Sequence, residues 1–304
     1  MSQQTVPSAL APPYTFIYER LRQSRVIPFL GSGASLGGRE SGMKWKKGVA
    51  TCLPTAGELA HHLAGMTEFP PNEPLDLAKV AQYYNVVTGR EALNEELRSI
   101  FNCDYPLTSL HTFLAQVDAP LLIVTTNYDD LIERAFVAKG RPYDVVIHST
   151  DAGLGDQLLW QQHDAATPRE VNPNKLDLDL QKATVIYKMH GAVDRHEATR
   201  DQYVITEDDY IDFLARMTKN KAVPAVFAEP FQTRHFLFLG YSLRDWNLRV
   251  VLNRIERDAR RRKSIKSWAI QYNPSPLEQR FWQEHGVEVY DKLLDEFVQE
   301  LSTR

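Results

Sequence analysis

The chain has 304 residues, with 35 lysines and arginines against 39 aspartates and glutamates, and a formal net charge of −4. Hydrophobic residues make up 43%, enough to bury a core, which excludes disorder throughout. The two cysteines, Cys52 and Cys103, exclude a disulfide framework and any zinc site that needs three or four thiolates from this chain.

The near-neutral balance leaves no global nucleic-acid footprint, so direct nucleic-acid binding is not expected. No apolar stretch reaches ~18 residues, so no membrane span is expected. Residues 1–13 are polar and contain prolines, and read as a flexible tail. They lack the basic region and apolar core of a secretory signal, so a reducing cytoplasm is the expected location.

Residues 14–23 place apolar side chains at 14, 17, 18 and 21, the spacing of a helix. Val26-Ile27-Pro28-Phe29-Leu30 is a short apolar run stopping at Gly31, read as a strand despite Pro28. Residues 36–50 are glycine-rich and basic, which suggests a lid or a surface loop. Thr55-Ala56-Gly57-Glu58 is a capping-box pattern, and Thr88-Gly89-Arg90-Glu91 repeats the spacing. Helices are expected from residue 55, over 75–87 and over 90–101, forming a helical insertion of about residues 51–104.

A short helix over 109–116 precedes a strand over 120–125, and Asp129 or Asp130 caps a helix closed by Gly140. Residues 143–148 form a β-branched run. Residues 150–182 are polar and weakly periodic, and read as an irregular insertion. Strands are expected over 183–189, 203–205, 235–239, 266–271 and 287–290, and helices over 207–217, 222–231, 248–260, 277–283 and 293–301. Strands alternating with helices predict an α/β protein with a Rossmann-like, largely parallel sheet flanked by helices. A single domain over residues 14–304 would carry both insertions.

Ligands of such sheets sit at the carboxyl ends of strands, which directs attention to four places. Gly31-Ser32-Gly33-Ala34-Ser35 follows the first strand; closely spaced glycines let backbone N–H groups approach a pyrophosphate, or simply make a tight turn. Thr125-Thr126-Asn127-Tyr128-Asp129 ends another strand in hydroxyls, an amide and a carboxylate. His190-Gly191 ends a third, where an imidazole can act as a general base near neutral pH or be satisfied by a backbone carbonyl. Gly240-Tyr241-Ser242 ends a fourth, with Asp245 available as a helix cap.

In this order the four segments resemble the sirtuin-type NAD-binding family, with its Gly-Ala-Gly-x-Ser, Thr-Gln-Asn-Ile-Asp, His-Gly and Gly-Thr-Ser motifs. Two departures define the branch. Deacetylating sirtuins carry a zinc ribbon of four cysteines, which this chain cannot supply, so no zinc ribbon and no metal are expected. Gly38-Arg39-Glu40 stands where those proteins have Gly-Ile-Pro-Asp-Phe-Arg. The segments at 53–59 and 204–210 look like the bacterial sirtuin-like branch.

The resemblance implies an NAD glycohydrolase, cleaving NAD to nicotinamide and ADP-ribose, in anti-phage defence by abortive infection. The competing expectations are an NAD-dependent protein deacylase and a non-catalytic NAD or ADP-ribose sensor. The resemblance assigns the nicotinamide ribose and attacking water to Asn127 and the base to His190, with Asp129 orienting Asn127 or capping a helix. Gly31, Ser32, Gly33, Ala34 and Ser35 would hold the pyrophosphate. Thr126 would contact the substrate, and Gly240 and Ser242 would line the adenosine side. Asn273 would either reach the adenine ribose or make a turn before Pro274. Because free NAD hydrolysis harms the host cell, control by self-assembly or by a second regulatory chain is expected.

Overall fold

A computed structural model of the protein describes residues 11–40, 42–150, 155–218, 223–241 and 266–304. Among the described residues there are eleven strands: β1 Val26–Leu30, β2 Leu122–Thr125, β3 Tyr143–His148, β4 Leu158–Gln161, β5 Arg169–Val171, β6 Thr184–Lys188, β7 Gly191–Ala192, β8 Gln202–Tyr203, β9 His235–Leu239, β10 Ser267–Gln271 and β11 Val287–Asp291. Nine form one sheet, in the order β11-β10-β9-β1-β2-β6-β3-β4-β5, while β7 and β8 form a separate antiparallel pair. Pairing is parallel from β11 through to β3 and antiparallel only at β4 and β5. The chain first builds outward from β1 through β2 to β3, then returns to add β9, β10 and β11 on the other side. The sheet therefore reverses direction at β1, and a crevice at a strand reversal is where open α/β sheets bind ligands.

Pro28 sits inside this central strand. β1 pairs with β9 over all five residues but with β2 only from Phe29 onward. The missing N–H thus falls before the β2 ladder begins, where its loss costs least.

Alternation along the strands creates two cores. Ile27, Phe29, Val124, Tyr187 and Phe238 face helices α7 Glu207–Thr218, α8 Ala228–Thr233 and α9 Pro276–Glu284. Val26, Leu30, Ile123, Ile186 and Leu239 face α1 Tyr14–Arg22, α5 Ser109–Gln116, α6 Leu131–Ala138 and α10 Leu294–Ser302. Helices on both faces of a largely parallel sheet make the protein an α/β fold, as the alternation predicted.

The helical insertion comprises α2 Ala56–Met66, α3 Leu77–Thr88 and α4 Arg90–Phe101, with its own apolar core shared by Tyr128, Tyr203 and Ile205. The Thr55 hydroxyl accepts from the Glu58 N–H at 3.2 Å and the Glu58 carboxylate accepts from the Thr55 N–H at 2.9 Å. Thr55→Ala is expected to cost about 1 kcal/mol, read as a lower denaturant midpoint; an unchanged midpoint would contradict this account of the cap. The second pattern behaves differently. The Thr88 hydroxyl donates to the Tyr84 carbonyl, and Gly89, at φ +91°, joins α3 to α4 without a side-chain cap.

The loop over 36–50 is tied down through its charges. Arg39 binds Glu58 and the Met43 carbonyl, the Trp45 N–H donates to Glu58 at 2.8 Å, and Lys47 donates to both Glu96 oxygens at 2.7 Å. The Arg39 guanidinium holds the Glu58 carboxyl well below the usual carboxylate range.

Two expectations are corrected by the structure. Residues 150–182 do not form a wholly irregular insertion: β4 and β5 extend the sheet as an antiparallel edge. The helix expected over 222–231 is a 3-10 turn over Ala225–Phe227 followed by α8, because Pro224 stands before the turn and interrupts continuous helix. The helix expected over 248–260 lies outside the described residues. No helix among the described residues is long and apolar enough to cross a membrane.

Candidate active site

The register aligns four strand ends. Leu239, Leu30, Thr125 and Lys188 form one row across β9, β1, β2 and β6. At strand spacing, this row covers about 14 Å. Gly240 and Gly31 lie one residue past it, Thr126 one and Asn127 two, and His190 two. Parallel pairing thus brings the sequence-predicted segments to one edge of the sheet.

The two glycine-bearing ends interlock. The Gly31 N–H donates to the Leu239 carbonyl at 3.0 Å and the Gly33 N–H to the Gly240 carbonyl at 2.9 Å. A Cβ on Gly31 would stand 2.7 Å from the Gly240 oxygen, and one on Gly240, at φ +69°, would stand 2.2 Å from the Ala34 nitrogen. These glycines are required by the close approach of two backbones. The N–H groups of Gly31, Gly33 and Ala34 are held by protein carbonyls, whereas Ser32 is exposed on the open side of the loop.

Asn127 is oriented without ambiguity. Its Nδ2 donates to the Gly31 carbonyl and to the Ser35 hydroxyl, both at 3.0 Å. A carbonyl only accepts, so the amide nitrogen must face it. Ser35 in turn donates to Asp129 Oδ2 at 2.9 Å, and Asp129 Oδ1 accepts from the Leu131 N–H at 3.2 Å. Asp129 thus orients Asn127 through Ser35 and also receives the first helical N–H of α6. Asp130 occupies the cap position of that helix but pairs with Arg195 at 2.7 Å. With both amide protons committed, Asn127 Oδ1 has no hydrogen-bond partner among the described residues and is the acceptor that can meet a ligand.

Thr126 shares a 2.6 Å hydrogen bond with the Tyr241 hydroxyl, and the Tyr241 ring meets Phe29 edge-on at 5.2 Å. Tyr241 therefore closes the floor between β1, β2 and β9. Ser242 lies outside the described residues. Asn273 adopts φ +49°, and its N–H donates to Asp291 at 2.7 Å, making a turn.

His190 is only 5% exposed and stands edge-on between Tyr210 at 5.4 Å and Phe213 at 5.3 Å. Its carbonyl accepts from the Val204 N–H at 2.9 Å. Gly191 adopts φ +88°, and a Cβ there would stand 2.1 Å from the Gln202 carbonyl oxygen. The small β7–β8 pair thus fixes the backbone that carries His190, and requires the glycine after it.

Residues outside the four motifs complete the site. Lys188 is fully buried and donates to the Asp129 carbonyl at 2.5 Å and to Glu133 at 2.7 Å. A lysine at the end of an apolar strand was the available signal for it. Burial pushes the Glu133 carboxyl up, against the pull of Lys188. His111 is buried near the same group, and burial lowers it to about 4. His148 is buried beyond Phe213, and burial, with Arg216 and His190 adding to it, lowers this imidazole to about 3.

A cleft of about 740 Å³ lies elsewhere, lined by Trp45, Lys47, Tyr105 and Arg134 among others; none of the sequence-predicted site residues lines it. Among the described residues, no group of three or more His, Cys, Asp or Glu side chains is arranged to hold a metal ion.

Residues 121–290 match the family described as SIR2-like domain. The chain is 28% identical over 224 residues to an "NAD(+) hydrolase ThsA" from Cytobacillus dafuensis, covering 74% of this chain and 37% of that protein. It is 29% identical over 248 residues to another "NAD(+) hydrolase ThsA" from Acinetobacter baumannii, covering 79% of this chain and 41% of the relative. A "Defense-associated sirtuin 2" from Bacillus subtilis is 23% identical over 216 residues, covering 70% of this chain and 18% of that protein. The chain therefore spans well under half the length of these curated relatives. The family match takes in more than half of the chain, including the strand ends that carry Asn127, His190 and Gly240, and this chain belongs to the SIR2-like domain family.

Proposed function

We propose that this chain hydrolyses NAD at the nicotinamide–ribose bond, releasing nicotinamide and ADP-ribose, and that it serves as an NAD-depleting effector of anti-phage defence. The observation that carries the reading is the Asn127–Ser35–Asp129 chain. It fixes the Asn127 amide nitrogen against the first loop at the strand reversal and leaves the carboxamide oxygen as the acceptor, on the strand end next to the one that carries His190. The names of the relatives, two NAD(+) hydrolases and a defence-associated sirtuin, support the same chemistry.

The substrate's own charge simplifies the reaction. The C1′–N bond breaks with its electron pair going to the pyridinium nitrogen, so nicotinamide leaves neutral and needs no general acid. The ribose passes through an oxocarbenium-like state. Asn127 Oδ1 holds a ribose hydroxyl or the incoming water, and orientation of that water supplies most of the advantage. His190 takes a proton from the water as its oxygen bonds to C1′, or from a ribose hydroxyl. The exposed Ser32 side of the first loop faces the pyrophosphate, Thr126 contacts the substrate, and Gly240 lines the adenosine side.

Such an activity must be restrained in an uninfected cell. We assign that restraint to self-assembly or to a second regulatory chain in the cytoplasm, with turnover released as abortive infection. The test is NAD turnover by the purified chain with and without an acyl-lysine peptide. Nicotinamide release that ignores the peptide is expected. Release that requires the peptide would replace the hydrolase with a deacylase, and tight NAD binding with no product under any trigger would make the chain a sensor.

A further inference from the structure

We propose that the buried Lys188–Glu133 pair is a positioning device for this reaction, tying the turn that bears Asn127 to the strand end that bears His190. The inference rests on the hydrolase reading above.

Lys188 has a side-chain exposure of 0%. An ammonium so placed carries a large desolvation cost, and an apolar side chain of similar volume would serve packing at least as well. The contacts say what the charge achieves. Nζ donates to the backbone carbonyl of Asp129 at 2.5 Å, a residue 59 positions earlier in the chain. The Asp129 side chain holds Ser35, and Ser35 holds Asn127. At its other end Lys188 is in β6, two residues before His190. One side chain therefore spans the two strand ends and constrains both. Glu133, on α6, supplies the counter-charge at 2.7 Å that keeps Nζ aimed at the turn. Its second oxygen, Oε2, has no hydrogen-bond partner among the described residues, so the carboxylate is committed to Lys188 and to little else.

Backbone bonds from Met189 to the Thr125 carbonyl at 2.9 Å and from Val193 to the Tyr128 carbonyl at 3.0 Å join the same two segments, and the ion pair adds the side-chain tie that holds the Asp129 end of the turn. Catalysis that depends on holding a water between two groups falls steeply when their separation drifts. Neither Lys188 nor Glu133 needs to touch the substrate.

The test compares the parent with Lys188→Met, Lys188→Met/Glu133→Leu, Glu133→Gln and Lys188→Arg. The double variant removes both charges and leaves no orphaned partner. NAD hydrolysis is followed as kcat and KM, and backbone hydrogen exchange is followed over residues 126–131. In the double variant kcat is expected to fall about 10- to 100-fold with KM changed less than about threefold. Exchange at 126–131 is expected to quicken about tenfold, with α2–α4 unaffected. Glu133→Gln, which keeps an acceptor, is the milder change, and Lys188→Arg, which keeps a cation, should regain part of kcat. A folded double variant with parental kcat and parental exchange would overturn the proposal. If the double variant fails to fold, Glu133→Gln carries the same readouts. A parent that releases no nicotinamide counts against the hydrolase reading alone. The clamp is then judged by exchange, where unchanged protection overturns it and faster exchange sustains it.

Discussion

Asn127→Ala is expected to lower the rate of NAD hydrolysis by about 10²- to 10³-fold, the range for losing one preorganised polar group at a reacting centre. The loss should fall on kcat more than on KM, because the amide acts where the water attacks. Asn127→Asp should be nearly as damaging. Its carboxylate has the right size but no proton to give to the Gly31 carbonyl or the Ser35 hydroxyl, which now receive two. The side chain would be repelled from the one orientation that leaves Oδ1 as the acceptor. His190→Ala should cost about 10²- to 10⁴-fold by removing the base. An Asn127→Asp variant with near-parental kcat would show that the amide's bonds to the first loop do not matter for turnover.

The second large effect is on acid stability. Burial lowers His111 to about 4 and His148 to about 3, against 6.5 when unfolded. Both groups are neutral in the fold, while the unfolded chain takes up protons below about pH 6.5. Each therefore contributes stability that is complete above that pH and is lost as pH falls toward the folded values. Between about pH 7.5 and pH 5, each histidine should remove about 2 kcal/mol of unfolding free energy. Denaturant unfolding of the parent, His111→Gln and His148→Gln across this range checks the sign and size. The variants should lose less on acidification than the parent, whatever their stability at neutral pH. Parallel curves for all three would show that neither ring is held neutral by the fold.

Much of the architecture is legible because long apolar strands punctuated by glycine have few alternatives. Val26–Leu30, His235–Leu239 and the run ending at Lys188 all fall where their composition places them. The edge of the sheet is not legible for a physical reason. Arg169–Val171 is a three-residue edge strand with mostly exposed side chains, and β4 is only four residues long. Segments this short carry no periodic signal, and the charged β5 is the edge that ends the sheet.

The site divides in the same way. The four strand-end motifs are visible as residue types, and parallel register makes their convergence predictable. The purpose of the glycines is not visible. Gly31 and Gly33 read as a pyrophosphate loop or a tight turn and Gly240 as lining the adenosine side, while the structure adds that these glycines let two backbones pack against each other. Gly191 admits the Gln202 carbonyl, a contact that no local pattern announces. Lys188 and Glu133 are 55 positions apart, and no local pattern links a lysine at a strand end to a glutamate on an earlier helix. Only the packing of α6 beneath the turn at Asp129 brings them together.

The most direct test of the central claim is a chromatographic time course of NAD incubated with the purified chain and no peptide, beside Asn127→Ala and His190→Ala at equal concentration. Equimolar nicotinamide and ADP-ribose from the parent, with both variants nearly silent, is the predicted result, and it would place the restraint in a second regulatory chain or an assembly absent from the assay. Equal product from parent and variants would contradict it, because the bond would then be broken somewhere other than the strand ends of β2 and β6.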